Sequence, residues 1–315
     1  MTTQAEKPDM ADMSAQKPLA PESPAAGRAR FFNSGNAFNV KLTPVPARSF
    51  HAEFEAASAP GRKARFFACD QSAELDCPFP ATTPLMLARY AGIPAGKTLR
   101  SESIATGSIW YVIAGNGMSR SGQEAISWSV GDVFLLPGGQ PGDHTAGSEH
   151  AVLWTVSNEP QLAFDRLRPT TGRNAPIEPV HYPAAEIARQ IDLIYEASAN
   201  EATSGIAVIF SSDRQEASRN IMPTLTLSLN SLPAATHQRA HRHNSAATTL
   251  IVKGKRCHSM VGAERCEWLE GATMVTPPGL PHSHHNAGDG RALFLIVQDG
   301  GLYYHARTMG FSFLE

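Results

Sequence analysis

Cysteine is scarce in this sequence. Cys69, Cys77, Cys257 and Cys266 are the four thiols in 315 residues, and no C-x-x-C occurs. A disulfide scaffold is therefore excluded, and reduced structural thiols are expected, the last two bracketing a hairpin at Met260-Val261-Gly262-Ala263. Excess charge of one sign is missing too. The 27 basic and 29 acidic side chains leave a formal charge of −2, so no global field draws the chain to nucleic acid or an anionic membrane. No run approaches the roughly 18 apolar residues of a membrane-spanning helix. Nor do the first 30 residues hold the apolar core of about 7–15 residues that a secretory signal needs, so a cytoplasmic location is expected. Charged side chains make up only 18% of the chain, against 25 glycines and 23 prolines. That mixture favours short strands and many turns over long surface helices.

At roughly 100–200 residues per domain, the length suits two domains with separate cores. Residues 1–30, rich in Ala, Pro, Ser and Lys, read as a disordered leader. From Phe31 to about Asp76 the pattern is irregular and suggests an arm with one or two strands. From Pro84 onward come short runs such as Ser108-Ile109-Trp110-Tyr111-Val112-Ile113 and Val133-Phe134-Leu135-Leu136, which are strand signals.

An internal repeat organises these runs. Pro84–Gly115 aligns with Pro223–Gly254 at a constant offset of 139, placing Arg100 on Arg239. After one inserted residue the offset becomes 140, and Trp128, Gly131, Pro137 and Gly139 meet Trp268, Gly271, Pro277 and Gly279. The chain then divides into a first β-rich unit over 31–170, a linker over 171–205 and a second unit over 206–315. Within the linker, Ile187, Ile191, Ile194 and Tyr195 recur at helical spacing after Pro183, which predicts a helix to about Asn200.

The chemistry concentrates in the second copy. His241 and His243 stand two apart in a strand and so share one face. Downstream runs Gly271-x5-Pro277-x-Gly279-x2-His282-x3-Asn286, which puts a third imidazole at the start of another strand. In a small barrel such residues converge, and three neutral imidazoles can bind one face of a divalent ion. The equivalent positions of the first copy hold Glu102, Ile104, Ser108 and Gly142. Ile104 and Gly142 offer no ligand atom, so one metal per chain is expected, in the later half.

These two segments resemble the paired signature motifs of the cupin superfamily, usually G-x5-H-x-H-x3,4-E-x6-G and G-x5-P-x-G-x2-H-x3-N. The second is matched at every fixed position. In the first, His241, His243 and Gly254 match, Ala247 replaces the glutamate ligand, and the opening glycine is absent. The resemblance implies an all-β bicupin: two double-stranded β-helix (jelly-roll-like) barrels joined by a short helix. Within bicupins, His241-Arg242-His243-x3-Ala247 and His282-x-His284-x-Asn286 are similar to the gentisate, 1-hydroxy-2-naphthoate and salicylate 1,2-dioxygenases. Those enzymes usually carry arginine where this chain has Thr249.

The activity that this resemblance implies is that of an Fe(II)-dependent dioxygenase, which cleaves the ring of a hydroxylated or amino-substituted aromatic carboxylic acid with O2. His241, His243 and His282 would hold the iron, leaving it open positions for substrate and oxygen. His284 is either an acid–base group or a structural hydrogen-bonding residue. Arg239 and Arg242 are the candidates to pair with a substrate carboxylate. Arg242 alternates away from the histidines beside it, which favours Arg239 for binding and catalysis. Gln238 and His237 are further candidates for the pocket. A homo-oligomer, dimer or tetramer, is expected on the same grounds, with no nucleic-acid or membrane partner. Two other readings stay open: another metal-dependent cupin enzyme (hydrolase, isomerase or flavonol-type dioxygenase), and a non-catalytic ligand-binding bicupin.

Overall fold

The computed structural model describes residues 7, 9–38, 40–197 and 205–314. Its contacts separate Met1–Pro44 from Val45–Glu315. The smaller unit extends past the expected leader and carries local order. Asp9 caps a single turn over Met10–Asp12, Ser23 caps another over Pro24–Gly27, and Gln16 bridges to Phe31. Short side chains that bind nearby backbone N–H groups explain these turns. Residues 1–6 and 8 of the leader lie outside the described residues.

Val45–Glu315 holds two sandwiches of antiparallel strands, the all-β bicupin architecture. In the first, a six-stranded sheet runs Val180–Tyr182, Val133–Pro137, Gly107–Ala114, Ala151–Ser157, Leu87–Ile93, Arg65–Ala68. It faces a four-stranded sheet of Thr98–Ser101, Gly142–Ala146, Asn116–Ser121 and Glu124–Ser129. In the second, the order is Arg48–Phe50, Thr273–Thr276, Ala247–Lys253, Ala292–Gln298, Thr226–Leu232, Ile206–Ile209. Opposite lies a five-stranded sheet of Glu264–Glu267, Cys257–Val261, His282–Asn286, Thr236–His243 and Phe311–Phe313.

Three cores arise from the alternation of side chains along these strands. Trp110, Val112, Phe134 and Leu153 point into the first sandwich, and Ile251, Trp268, Met274 and Phe294 into the second. The alternate residues form a third core, in which Tyr90, Tyr111, Leu135 and Trp154 join Leu227, Leu250, Val275 and Leu295. Each six-stranded sheet is thus buried on both faces, which is why its strands read as unbroken apolar runs. Two polar groups of this third core are paired across it. Tyr90 Oη donates to the Gly271 carbonyl at 2.5 Å, and Trp154 Nε1 donates to Thr273 Oγ1 at 2.8 Å.

The sheets cross the boundaries expected from the repeat. Arg48–Phe50, assigned to the first unit, is an edge strand of the second, with Arg48 opposite Val275 and Phe50 opposite Thr273. Val180–Tyr182, assigned to the linker, closes the first unit's sheet against Val133–Pro137. Three-residue strands carry too little periodicity to be read from sequence, yet they cover edges that would otherwise expose unpaired backbone. The linker helix forms over Ala184–Glu196 behind Pro183, burying Ile187 and Ile191. The rest of the expected helix, from residue 198, lies outside the described residues.

Candidate metal centre

Thr236–His243 and His282–Asn286 are neighbours, and His241 stands directly opposite His282. Together with His243 they place one ligand atom each within 4.8 Å of one another. The ring centroids of His241 and His243 lie 4.3 and 4.7 Å from that of His282. Backbone carbonyls fix the tautomers. Nδ1 of His241 faces the Arg239 oxygen at 2.8 Å, that of His243 the Ser245 oxygen at 2.9 Å, and that of His282 the Leu280 oxygen at 2.9 Å. A carbonyl can only accept, so each Nδ1 carries the proton and each Nε2 keeps its lone pair for a ligand. Burial lowers the basicity of His241 and His243, and takes His282 down to about 3, with the neighbouring His241 adding to the effect. Neutral imidazoles with free Nε2 atoms and no carboxylate among them fit a divalent transition metal.

The cavity above these rings has a volume of about 620 Å³. Ala247, at the position of the absent glutamate, and Thr249 both line it, as do Asn230, Gln238, Thr276, His284 and Gln298. Gln298 Nε2 lies 3.3 Å from His243 Nε2. The chain's end covers one side: Tyr304, in the short helix Gly300–Ala306, and Phe311, in the last strand, are also lining residues.

His284 is anchored differently from the three ligand candidates, by a hydroxyl and not by a carbonyl. Trp268 Nε1 donates to Ser259 Oγ at 2.8 Å, and the same oxygen lies 2.8 Å from His284 Nδ1. A hydroxyl has one proton and two lone pairs, so Oγ can accept the indole N–H and give its own proton to Nδ1, the arrangement that puts the ring proton of His284 on Nε2, facing the cavity. Its ring is buried, far less basic than usual through desolvation, and lines the cavity.

The arginines expected to meet substrate lie elsewhere. From Gln238 to His241 the strand spans three residues, where its partner, from His284 to His282, spans two. This β-bulge reverses the alternation, so Gln238 and His241 both face the cavity. Strict alternation from His241 points to Arg239, but its guanidinium sits 3.8 Å from the centre of the Phe313 ring. Arg242 is exposed, with Nε donating to Ser312 Oγ at 3.2 Å. Neither is among the residues lining the cavity. His237 stacks on His285, which stacks on His258.

Three contributors escape the sequence reading. Ser259 is visible in retrospect, because the offset of 140 pairs it with Ser119 just as it pairs Trp268 with Trp128. Gln298 is placed by alternation with Phe294 and Ile296 along Ala292–Gln298. Arg219, the one charged side chain among the described lining residues, belongs to a turn without periodic signal.

In the first sandwich, the equivalent positions hold no such cluster among the described residues. Glu102 is exposed and pairs with Arg100 at 2.9 Å, and Ile104 is 45% exposed.

The fold is that of a two-sandwich, cupin-like β protein, with one imidazole triad among the described residues. Comparison agrees: residues 230–298 match the family model described as a Cupin domain. Over the whole fold, the chain is similar to salicylate 1,2-dioxygenase from Pseudaminobacter salicylatoxidans. The TM-score is 0.73 at 14% identity, covering 87% of this chain and 89% of that one. A gentisate adduct of salicylate 1,2-dioxygenase superposes with a TM-score of 0.71 at 13% identity, over 87% of this chain and 86% of that one. By sequence, 66 residues are 35% identical to gentisate 1,2-dioxygenase from Ralstonia sp.. That match covers 21% of this chain and only 19% of the relative's length. No helix among the described residues is long and apolar enough to cross a membrane.

Proposed function

We propose that the protein is an Fe(II)-dependent dioxygenase that opens the ring of a small aromatic carboxylic acid bearing a hydroxyl or amino group. One observation carries the reading: three buried, neutral imidazoles, each with its proton on Nδ1, converge without a carboxylate at a substrate-sized cavity. The likeness to salicylate and gentisate 1,2-dioxygenases supports it. A cytoplasmic homo-oligomer belongs to the same reading.

His241, His243 and His282 would hold the metal. Bound there, it would supply a Lewis-acid, redox-active centre for O2 and a chelating substrate. The protein's own contribution is positional. The Nδ1 bonds to the carbonyls of Arg239, Ser245 and Leu280 hold the three rings in place. His284 holds its proton on Nε2, where it donates to an oxygen of the bound reactants. Gln298, beside His243, offers an amide to the same space. Tyr304 and Phe311 line the cavity and would pack against the substrate's ring.

The test is oxygen uptake by Fe(II)-reconstituted protein with gentisate, salicylate, aminobenzoates and hydroxynaphthoates. The expected result is one O2 consumed per ring opened with at least one of these acids. Uptake with none of them, beside a stoichiometrically loaded site, would overturn the assignment.

A further inference from the structure

Among the described residues that line the metal cavity, Arg219 is the one that carries a fixed charge. Position 249, where the resemblance leads one to expect arginine, is threonine, and Arg239 and Arg242 are turned away. We propose that Arg219 is the residue that receives the substrate's carboxylate, an inference that rests on the site reading above.

The turn carrying Arg219 is braced, whereas the side chain is not. Arg219 adopts a left-handed backbone (φ 56°), and its N–H donates to the Gln215 carbonyl at 2.9 Å. Gln215 Nε2 reaches the Pro176 carbonyl at 3.0 Å, and Ser218 Oγ donates to the Gln215 carbonyl at 3.0 Å. Next in the chain, Asn220 is buried. Arg214, five residues earlier, is fully engaged. Its Nη1 donates to the Ala175 carbonyl at 2.6 Å and its Nε pairs with Glu178 at 3.1 Å. Arg219 is exposed and forms no ion pair among the described residues, although Asp213 and Glu216 share the shallower pocket on its other side. A braced turn thus sets at the cavity an arginine with no ion pair among the described residues, the side chain best suited to a bidentate carboxylate.

The remaining surface suits the rest of such a ligand. Ile209, Tyr304 and Phe311 line the same cavity while 56%, 59% and 47% exposed. Large apolar side chains left in water around a cavity are an unfilled place for an apolar ring. The ligand class is a planar aromatic monocarboxylate. Its carboxylate is held by the turn before Thr226–Leu232, and not by the strand that carries His241 and His243.

The experiment measures binding of salicylate, and of its neutral isostere salicylamide, to the metal-loaded full chain without oxygen, by calorimetry. Arg219→Gln is expected to weaken salicylate at least tenfold, to leave salicylamide unchanged, and to be partly rescued by Arg219→Lys. Unchanged salicylate affinity in Arg219→Gln overturns the proposal, and so does equal weakening of both ligands. Failure of the wild-type chain to bind salicylate, gentisate or aminobenzoate overturns both this inference and the proposed function. Arg219-dependent binding without oxygen consumption upholds the carboxylate site and overturns the dioxygenase reading.

Discussion

Ser259 Oγ stands 2.8 Å from Nδ1 of His284, and 140 residues earlier Ser119 Oγ stands 2.7 Å from Nδ1 of His144. Each serine also receives an indole N–H, from Trp268 in one case and Trp128 in the other. The relay is thus part of the repeated scaffold and does not depend on the imidazole triad. What differs is the far side of the histidine. His144 Nε2 meets Ser101 Oγ at 2.9 Å, whereas the ring of His284 opens on the cavity.

The duplication separates stability from function. Ser119→Ala and Ser259→Ala each strand a buried indole N–H and a histidine nitrogen, so each should cost about 1–3 kcal/mol in urea unfolding. Only Ser259→Ala should also lower kcat, on the order of tenfold or more, because only its histidine faces reactants. Equal kcat in both variants would assign His284 to the scaffold alone.

Metal retention tests which sandwich is loaded. His243→Ala removes one of three donors and frees its neighbours from a shared geometry, so metal content after dialysis should fall to background. Glu102→Ala touches an exposed pair with Arg100 and should leave metal content unchanged. Elemental analysis of both proteins, with the reverse pattern as the adverse outcome, decides the matter.

The same residues show what a sequence can and cannot reveal. The fold class and the converging histidines are legible because motif spacing maps directly onto strand alternation and register. Arg239 is misplaced by that logic because a single extra residue between Gln238 and His241 reverses the alternation, and nothing in the local composition marks the bulge. Arg48–Phe50 and Phe311–Phe313 escape because their pairing partners lie far away in sequence. Arg219 escapes because turns have no period.

The contact between the two six-stranded sheets depends on buried polar bonds as well as apolar area. Tyr90→Phe keeps the ring but leaves the Gly271 carbonyl without the phenol donor. A loss of about 1–3 kcal/mol is expected. Because the bond joins the two sandwiches, calorimetry should show one unfolding transition in the wild type and a lower or split one in the variant. An unchanged profile would show that the Tyr90 bond adds nothing to what holds the halves together.

Asp299 supplies a pH dependence whose sign can be fixed. Its carboxyl is pushed up to about 7, chiefly by burial, while the bond from the Ala246 N–H acts in the opposite direction. In the unfolded chain the group titrates near 3.8. Between these values the folded state holds a proton that the unfolded state has released, so folding stability falls as pH rises from about 4 to about 7 and then levels. Asp299→Asn can still accept from Ala246 yet has no charge to bury. It should match the wild type near pH 4 and exceed it above pH 7. The expected gap is on the order of 1–4 kcal/mol, since each tenfold change in proton affinity is worth about 1.4 kcal/mol. Urea unfolding of the metal-free chain at pH 5 and pH 8 measures it. A variant weaker than the wild type at both values would show that the carboxylate is stabilised where it lies, contrary to the cost that its burial implies.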